Sequence, residues 1–332
     1  MKFLVIGLGS MGKRRVRNLQ ALKHSALAGF DPRADRRKEA SSRYGIETFD
    51  SFNVALATFK PNVLVISTDP SLHMEYAHQA RKLGLHCFIE ASVVEEARVV
   101  QLAELIKGSK LVMVPSCTMH YFPGPAAIRK IVSAGKIGKP LNINYLTGQY
   151  LPDWHPWENI RDFYVSKRET GGAREIVPFE LTWLNEIFGD PEPLACVKTK
   201  ITDMDADIDD IYHCLLRYPN GPLANITIEV LSRPRATREL HIIGSEGRLV
   251  FSGDENCVRY ISVGDPNWTR IDLKAGTVEK GYINPEEPYI SEMADFLKAI
   301  EVADPKVFPN TLESDARILG LLNNLEKMSA AK

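Results

Sequence analysis

The chain has 332 residues, of which 44% are hydrophobic and 25% are charged, and its formal net charge is −1. This length and composition are typical of a soluble globular protein with two domains and a substantial core. The balanced charge excludes a basic face for nucleic acid, and the apolar runs of four or five residues are far too short to cross a membrane.

The chain begins with a dinucleotide-binding pattern. The run Phe3 to Ile6 is short and apolar, as a buried parallel strand should be, and it leads through a glycine-rich loop into a helical stretch. In this pattern Gly7 permits the tight turn, Gly9 lets the backbone approach a pyrophosphate, and Gly12 lets the helix pack against the strand. The start of the helix also offers unpaired N–H groups to the phosphates. The predicted cofactor-binding residues of the loop are Gly7, Gly9, Ser10, Met11 and Gly12.

A second predicted strand ends in an acidic residue. The run Ala26 to Phe30 precedes Asp31, roughly twenty residues beyond the glycines, where a carboxylate accepts hydrogen bonds from the adenosine ribose. A carboxylate at this position repels a 2′-phosphate, so Asp31 favours NAD over NADP. Three alternatives stay open for Arg33, Arg36 and Arg37, which follow closely: adenine stacking, phosphate binding, or a solvated helix face.

Residues 1 to about 117 alternate between apolar β-type runs and stretches of helical periodicity. This alternation predicts a doubly wound parallel sheet, which binds its ligands at the carboxyl ends of the strands. Polar residues near these ends complete the predicted cofactor site, and they are Ser67, Thr68, His73 and Glu90. His73 is equally expected to cap or pack a helix. The predicted strands are Phe3–Ile6, Ala26–Phe30, Val63–Ile66, Cys87–Ile89 and Leu111–Val114.

After Pro123 the pattern changes to long β-type segments. A helix from about Pro125 to Ala134 leads into them, and hairpin signals at 219–222 and 245–247 join several of them. This pattern predicts an open, mainly antiparallel sheet. Its predicted segments are Leu141–Tyr150, Leu194–Ile201, Ile208–Tyr218, Leu223–Leu231, Glu239–Ile243, Arg248–Phe251 and Val258–Val263.

The last predicted helix begins after Asn310, with Asn310 and Glu313 placed as a capping pair. We therefore predict an α/β plus α+β protein: a dinucleotide-binding domain at 1–120, an α+β domain for substrate binding and oligomerisation at 121–310, and a C-terminal helix at 311–332 packing back on the body. The five cysteines lie far apart, without a CxxC pair or a histidine at zinc spacing, which predicts buried thiols and no metal site.

Four segments together indicate a protein family more specifically than any one of them does: GLGSMGKRRVRNL, STDPSLHMEYAHQARKLGLHCFIE, MHYFPGPAAIRKIVSAGKIGKP and GSEGRLVF. Together they resemble the glucose–fructose oxidoreductase and inositol dehydrogenase family, often written Gfo/Idh/MocA, over nearly the whole chain. The resemblance implies an N-terminal Rossmann domain, a nicotinamide cofactor and hydride transfer at a ring carbon of a sugar, cyclitol or nucleotide sugar. It also implies a homo-oligomer, a dimer or tetramer, formed through the C-terminal sheet.

The chain differs from the family's pattern at the residues that accept the proton of the substrate hydroxyl. Hydride transfer from a carbinol needs a base for the hydroxyl proton, which the family takes from a Glu-Lys-Pro turn and from a helix with an acid and a histidine. Here the turn reads Glu90-Ala91-Ser92 and lacks the lysine. One register of the helix places the acid at Glu175 and the histidine position at Phe179, and the other places them at Ile176 and Glu180. Neither register contains a histidine.

Residues 150–175 are rich in groups that bind or ionise, which is typical of a binding loop, although a solvated, charge-paired loop is the alternative. Trp154 and Trp157 suit sugar rings, and the arginines and lysine suit a diphosphate or carboxylate. His120, which the resemblance places near the nicotinamide, is either a proton donor, a substrate ligand or an interdomain hydrogen bonder. The candidates for proton transfer are His155, His120, Tyr164, Lys167, Glu175 and Glu180.

These patterns predict an NAD-dependent oxidoreductase that acts on a nucleotide-linked or acidic sugar, with NADP as the less favoured cofactor. A non-catalytic protein that binds NAD and a sugar, and an enzyme that uses NAD for redox-neutral epimerisation or elimination, stay open as alternatives. The expected partners are the sugar and further copies of the chain, without nucleic acid or membrane. Because Met1 leads directly into the first predicted strand, without the apolar stretch of a signal peptide, we expect a cytoplasmic protein.

Overall fold

A computed structural model describes residues 1–154, 159–219 and 221–330 of the chain. It divides into two compact units, of which the first comprises Met1–Tyr121 with Ala275–Ala316, and the second comprises Phe122–Lys274 with Arg317–Lys332. The segment Ala275–Ala316 thus belongs to the first unit, whereas the sequence analysis assigned most of it to the second domain. Among the described helices, none has the length and apolar character needed to cross a membrane.

The first unit is built on a six-stranded parallel sheet, which confirms the predicted doubly wound fold. Its strand order is β3-β2-β1-β4-β5-β6, with the first and second mononucleotide-binding halves on either side of the β1–β4 boundary. The strands are β1 (Phe3–Ile6), β2 (Leu27–Phe30), β3 (Glu47–Phe49), β4 (Val63–Ile66), β5 (His86–Ile89) and β6 (Met113–Pro115).

Two strands of this sheet differ from the sequence prediction by more than one residue. The short β3 was missed, because its three residues are only half-buried or exposed and carry no apolar run. The strand predicted at Leu111–Val114 begins two residues later, because its pairing with β5 starts at Met113, opposite Cys87.

Nine helices lie within the described residues, and those of the first unit include one from the segment near the C-terminus. The ring of Phe296 packs 5.5 Å from Phe88 of β5, so this late segment completes the core beside the parallel sheet. The helices are α1 (Ser10–Ala21), α2 (Ala34–Tyr44), α3 (Phe52–Phe59), α4 (His73–Lys82), α5 (Glu96–Ile106), α6 (Pro123–Ser133), α7 (Ala173–Phe188), α8 (Glu287–Glu301) and α9 (Leu312–Ala330).

The second unit contains an eight-stranded sheet in the order β14-β13-β12-β11-β7-β10-β9-β8. Only β7 and β10 pair in parallel, which confirms the prediction of a mainly antiparallel sheet. The strands are β7 (Pro140–Gly148), β8 (Glu192–Thr199), β9 (Ile211–Arg217), β10 (Leu223–Glu229), β11 (Thr237–Gly244), β12 (Gly247–Ser252), β13 (Cys257–Ser262) and β14 (Thr269–Asp272). The short, largely exposed β14 was not predicted, and Asn220 of the predicted hairpin lies outside the described residues.

The central strands of this sheet alternate between a buried and an exposed face, as the period of two requires. On the buried face Tyr145 packs with its ring 5.6 Å from Trp183 of α7. On the other face several large apolar side chains are exposed, and they include Leu146, Val197, Leu215 and Ile243.

The predicted capping pair of the last helix is wrong by one residue. Thr311 is the cap, because its Oγ1 accepts a hydrogen bond from the Ser314 N–H at 3.1 Å. Asn310 instead points its side-chain amide at the carbonyl oxygens of Pro115 and Ser116, each at 3.4 Å. Those carbonyls stand at the end of β6, so Asn310 docks the start of α9 onto the carboxyl edge of the parallel sheet.

We expect Gly12→Ala to destabilise the first unit, because the added Cβ would lie 1.8 Å from the Gly7 carbonyl oxygen and would push α1 off β1. Overpacking of this kind costs about 1–3 kcal/mol, and a backbone neighbour leaves little room to relax. Gly9→Ala is the control, because its Cβ would meet only the Arg36 side chain, at 3.4 Å. Urea unfolding of both variants measures the difference, and equal losses of stability would contradict this account of Gly12.

Candidate functional site

The glycine loop joins β1 to α1 at the carboxyl edge of the parallel sheet. Gly7 has a φ of +85° and its N–H donates to the Phe30 carbonyl oxygen at 2.8 Å, while an added Cβ would come within 2.5 Å of the Ser67 carbonyl oxygen. The turn therefore requires glycine at this position. Gly9 stands at the N-cap of α1 with open space on its Cβ side as far as Arg36, so this loop fits the close approach of a pyrophosphate.

Asp31 is buried at the end of β2 and is fixed against the glycine loop. Its Oδ2 accepts from the Leu8 N–H at 2.7 Å, and its Oδ1 accepts from the Arg33 N–H at 2.8 Å. Each carboxylate oxygen has a second lone pair, so Asp31 can still accept hydrogen bonds from ribose hydroxyls.

The three arginines after Asp31 have different surroundings. Arg37 donates to the carbonyl oxygens of Asp31 and Pro32, both at 2.8 Å, and the exposed Arg33 pairs with Asp35 at 2.6 Å. Arg36 places its Nη1 3.8 Å from Asp31 Oδ2, next to the position that a Cβ on Gly9 would take. Of the three, Arg36 is thus the one that faces the loop.

The predicted residues at the ends of β4 and β5 also lie together. The Ser67 hydroxyl donates to Glu90 Oε1 at 3.2 Å, and His73 Nε2 lies 3.1 Å from the Thr68 carbonyl oxygen. Burial lowers the pKa of His73, so its ring is neutral near neutral pH. Among the described residues, His73 Nδ1 has no hydrogen-bond partner.

A buried arginine that the sequence analysis missed organises this edge. Arg15 of α1 donates to Glu90 at 2.6 and 2.9 Å and pairs with Glu292 of α8 at 2.8 Å, and its guanidinium lies 4.5 Å from the centre of the Phe88 ring. Although burial opposes its charge, the carboxylates of Glu90 and Glu292 raise the pKa of Arg15. A signal was present in the sequence, because Arg15 adjoins Val16 and precedes Leu19 on the buried side of α1.

The turn after β5 meets a second residue that the sequence analysis missed. Asp315, in the first turns of α9, is buried beside Ser92. Burial raises the pKa of Asp315 to about 7, and the Ser92 hydroxyl is close enough to lower it in part, although the two groups do not reach the geometry of a full hydrogen bond. The signal was an acid at helical spacing from Leu312 and Leu319, on the apolar side of the helix.

In the second unit, the two glutamates of α7 have very different partners. Glu180 is completely buried and its carboxylate accepts from Tyr145 Oη at 2.6 Å, from Trp183 Nε1 at 2.7 Å and from Arg238 Nη2 at 2.7 Å. Both of its oxygens are engaged. Glu175 is partly buried, and its Oε1 accepts a hydrogen bond from the Tyr164 hydroxyl at 2.7 Å.

The remaining candidates are scattered. Lys167 is exposed, His155 lies outside the described residues together with Trp157, and His120 belongs to the first unit, where its ring packs edge-on against Tyr121. The arginines expected to suit a diphosphate are paired with acids: Arg168 Nη1 lies 2.7 Å from Asp209 and Arg174 Nε 2.8 Å from Glu326. The structure therefore joins the side chains of two of the six candidates, Tyr164 and Glu175, by a hydrogen bond.

We expect Arg15→Met to lower the free energy of unfolding by about 3–5 kcal/mol, because it leaves the carboxylates of Glu90 and Glu292 buried without their counter-charge. The loss should be smaller at pH 5 than at pH 8, since protonation relieves an unpaired buried carboxylate. Arg33→Met is the control, because that exposed pair contributes at most about 1 kcal/mol. Denaturant unfolding at the two pH values measures both effects, and a loss that is independent of pH would speak against uncompensated carboxylates.

Comparison with known sequences assigns both units to one family. Residues 1–116 match the oxidoreductase family with the NAD-binding Rossmann fold, and residues 126–250 match the GFO/IDH/MocA C-terminal domain. An inositol 2-dehydrogenase of Pseudomonas fluorescens is 27% identical over 199 residues, which cover 51% of this chain and 59% of that protein. The chain spans between 46% and 60% of the length of the curated relatives it matches.

Solved structures share the fold at low identity. An oxidoreductase from Agrobacterium radiobacter in complex with NAD+, L-tartaric acid and magnesium superimposes with a TM-score of 0.86 at 13% identity, over 99% of this chain and 96% of that one. A levoglucosan dehydrogenase in complex with NADH and levoglucosan gives a TM-score of 0.83 at 17% identity, over 100% and 97% of the two chains. With both of its domains matched, this chain belongs to the Gfo/Idh/MocA family of oxidoreductases.

Proposed function

We propose that this protein is an NAD(P)-dependent dehydrogenase that transfers a hydride at a ring carbon of a sugar or related polyol, with NAD as the preferred cofactor. The observation that carries the proposal is the glycine loop with the buried Asp31 fixed behind it, because Gly9 leaves room for a pyrophosphate and Asp31 can accept from a ribose. When bound, the nicotinamide accepts or returns the hydride. The N–H groups at the start of α1 would hold the phosphates.

The substrate class rests on the relatives. The inositol and levoglucosan dehydrogenases are named for polyhydroxylated rings, and we propose a substrate of that kind for this chain. A nucleotide-linked sugar receives less support, because Arg168 and Arg174 are already paired with acids of their own unit. The same pairing leaves these arginines less able to hold the carboxylate of an acidic sugar, so a neutral polyol is the preferred class.

For proton transfer we propose the Tyr164–Glu175 pair. A tyrosine that donates to a carboxylate can pass its proton to that carboxylate while it takes one from a substrate hydroxyl, so the pair handles a proton as a histidine–acid pair does. Glu180 is a poorer candidate, because three donors already engage its carboxylate. Lys167 lies exposed in the same segment, and among the described residues no hydrogen bond or ion pair orients its side chain.

One observation favours a second function. The resemblance to the family implies a lysine at the position of Ala91, so a protein that binds NAD and a sugar without turnover is the alternative. Either function is compatible with assembly through the exposed apolar face of the eight-stranded sheet, which we propose as the contact between copies of the chain.

We expect Asp31→Ser to raise the affinity for NADPH relative to NADH by at least about tenfold, because it removes a carboxylate that repels the 2′-phosphate and leaves Arg36 beside the loop. The ratio is the measure, since loss of the Leu8 hydrogen bond weakens both nucleotides alike. Fluorescence titration with NADPH and with NADH measures the two affinities and therefore their ratio. Asp35→Ser is the control, because Asp35 is an exposed acid in the first turn of α2, the helix that carries Arg36. An unchanged ratio in Asp31→Ser would remove Asp31 from the ribose site.

We expect Tyr164→Phe and Glu175→Gln each to slow single-turnover reduction of NAD+ by about 10²–10⁴-fold while leaving NADH affinity unchanged. The reaction is followed with whichever of myo-inositol, levoglucosan and UDP-N-acetylglucosamine the unaltered protein oxidises. Tyr212→Phe is the matched control, because its hydroxyl also donates to a glutamate, Glu326, at 2.8 Å in the same unit. An equal loss in that variant would make the effect structural, and NADH binding without reduction by any of the three would favour the alternative function.

A further inference from the structure

Asp209 of the second unit lies between the start of α7 and the segment that precedes this helix. It is buried and stands just before β9 in the chain. Its backbone carbonyl oxygen accepts a hydrogen bond from the N–H of Ala173, the first residue of α7, at 3.1 Å. Its carboxylate accepts from Arg168 Nη1 at 2.7 Å and from Lys198 Nζ at 2.5 Å. A single buried residue thus contacts both the helix and the segment that leads into it.

Residues 164–172 form a turn that folds back onto the start of α7. The hydroxyl of the buried Thr170 donates to the Tyr164 carbonyl oxygen at 2.9 Å. The turn places the Tyr164 hydroxyl 2.7 Å from Oε1 of Glu175, in the first turn of α7. Arg168 lies in the middle of this turn, so the bond from Arg168 to the Asp209 carboxylate holds the turn from its outer side.

We propose that Asp209 is a positioning residue for proton transfer: its carbonyl oxygen fixes the start of α7, which carries Glu175, and its carboxylate fixes Arg168 and with it the turn that carries Tyr164. This inference rests on the proposed function, because it requires that Tyr164 and Glu175 handle the substrate proton. Proton transfer needs the two oxygens within about 2.6–3.2 Å of each other, and a displacement of about 1 Å slows a reaction by up to about 10²-fold. A residue that holds both partners therefore affects the rate without touching the substrate.

Two aspartates contact the Arg168 guanidinium, and they differ in burial. Asp207 accepts from Arg168 Nε at 3.2 Å and from Nη2 at 2.9 Å, but its side chain is 79% exposed, against 5% for Asp209. Water replaces an exposed carboxylate at little cost, whereas loss of a buried carboxylate leaves its cations without their partner. The cations on Asp209 are Arg168 and Lys198. The two aspartates therefore provide a matched pair of variants on one arginine.

The test measures single-turnover reduction of NAD+ by the whole protein, with a substrate that the unaltered protein oxidises. Asp209→Asn should slow this step by about 10²-fold, because the carboxamide has one acceptor oxygen for two cations and turns an NH2 group toward the other. NADH affinity should stay unchanged. Asp207→Asn, the matched control, should slow the step by less than about threefold, since its carboxylate is exposed.

A double-variant cycle separates positioning from a general loss of stability. In the Tyr164→Phe background, Asp209→Asn should cause no further slowing, because the hydroxyl that Asp209 positions is already absent. Slowing by the same factor in both backgrounds would show a structural role and would overturn the inference.

A second variant covers the case in which Asp209→Asn does not fold. Arg168→Met should fold, because the Arg168 side chain is 46% exposed. It should slow the step by at least about tenfold in the unaltered background and not in Tyr164→Phe. Arg168→Lys should recover part of the rate, because its ammonium can still pair with Asp209 although it cannot bridge both aspartates.

Two further results would overturn the inference: equal losses in Asp207→Asn and Asp209→Asn, or an unchanged rate in both Asp209→Asn and Arg168→Met. A normal rate in Tyr164→Phe, or no turnover by the unaltered protein, would overturn the proposed proton-transfer pair and this inference with it. Failure to bind NADH would instead overturn the proposed nicotinamide cofactor.

Discussion

The buried guanidinium of Arg15 constrains the whole ligand-binding edge of the first unit. It reaches from α1 to Glu90 at the end of β5 and to Glu292 on α8, which also accepts from the Ser116 hydroxyl and the Cys117 N–H beyond β6. Each charge in such a cluster would be strongly destabilising if its partners moved away. These ion pairs hold the segment Ala275–Ala316 against the parallel sheet, so the Glu90 carboxylate has a structural role there.

The hydrogen bonds of Glu90 limit the chemistry that the turn after β5 can perform. With Glu90 bonded to Arg15 and Ser67, and with Ala91 unable to carry a proton, the turn retains only the Ser92 hydroxyl. Asp315 approaches this hydroxyl from α9, so a buried carboxyl from a distant part of the chain lies beside the turn.

The parts of the fold that depend on local contacts could be predicted from the sequence. Gly7 and Gly12 are required by backbone atoms within the loop and at the next strand, so their spacing alone indicated the site. Arg15 and Asp315 could not be placed, because their partners lie far away in sequence; Arg15 and Glu90 are 75 residues apart. The capping error has the same origin, since hydrogen bonds from the Asn310 NH2 to two carbonyl oxygens at the end of β6 hold this side chain, whose Oδ1 would otherwise be expected to cap α9.

The two glutamates of α7 could be distinguished by the structure but not by the sequence. Residues 175 and 180 are five positions apart, so on a helix with 3.6 residues per turn their side chains point about 140° apart. One direction leads into the core, where Tyr145, Trp183 and Arg238 engage Glu180, and the other leads to Tyr164. Spacing could not distinguish two acids on one helix. The difference between them lies in what surrounds each carboxylate: three donors engage the fully buried Glu180, whereas Glu175 is only partly buried beside the Tyr164 hydroxyl.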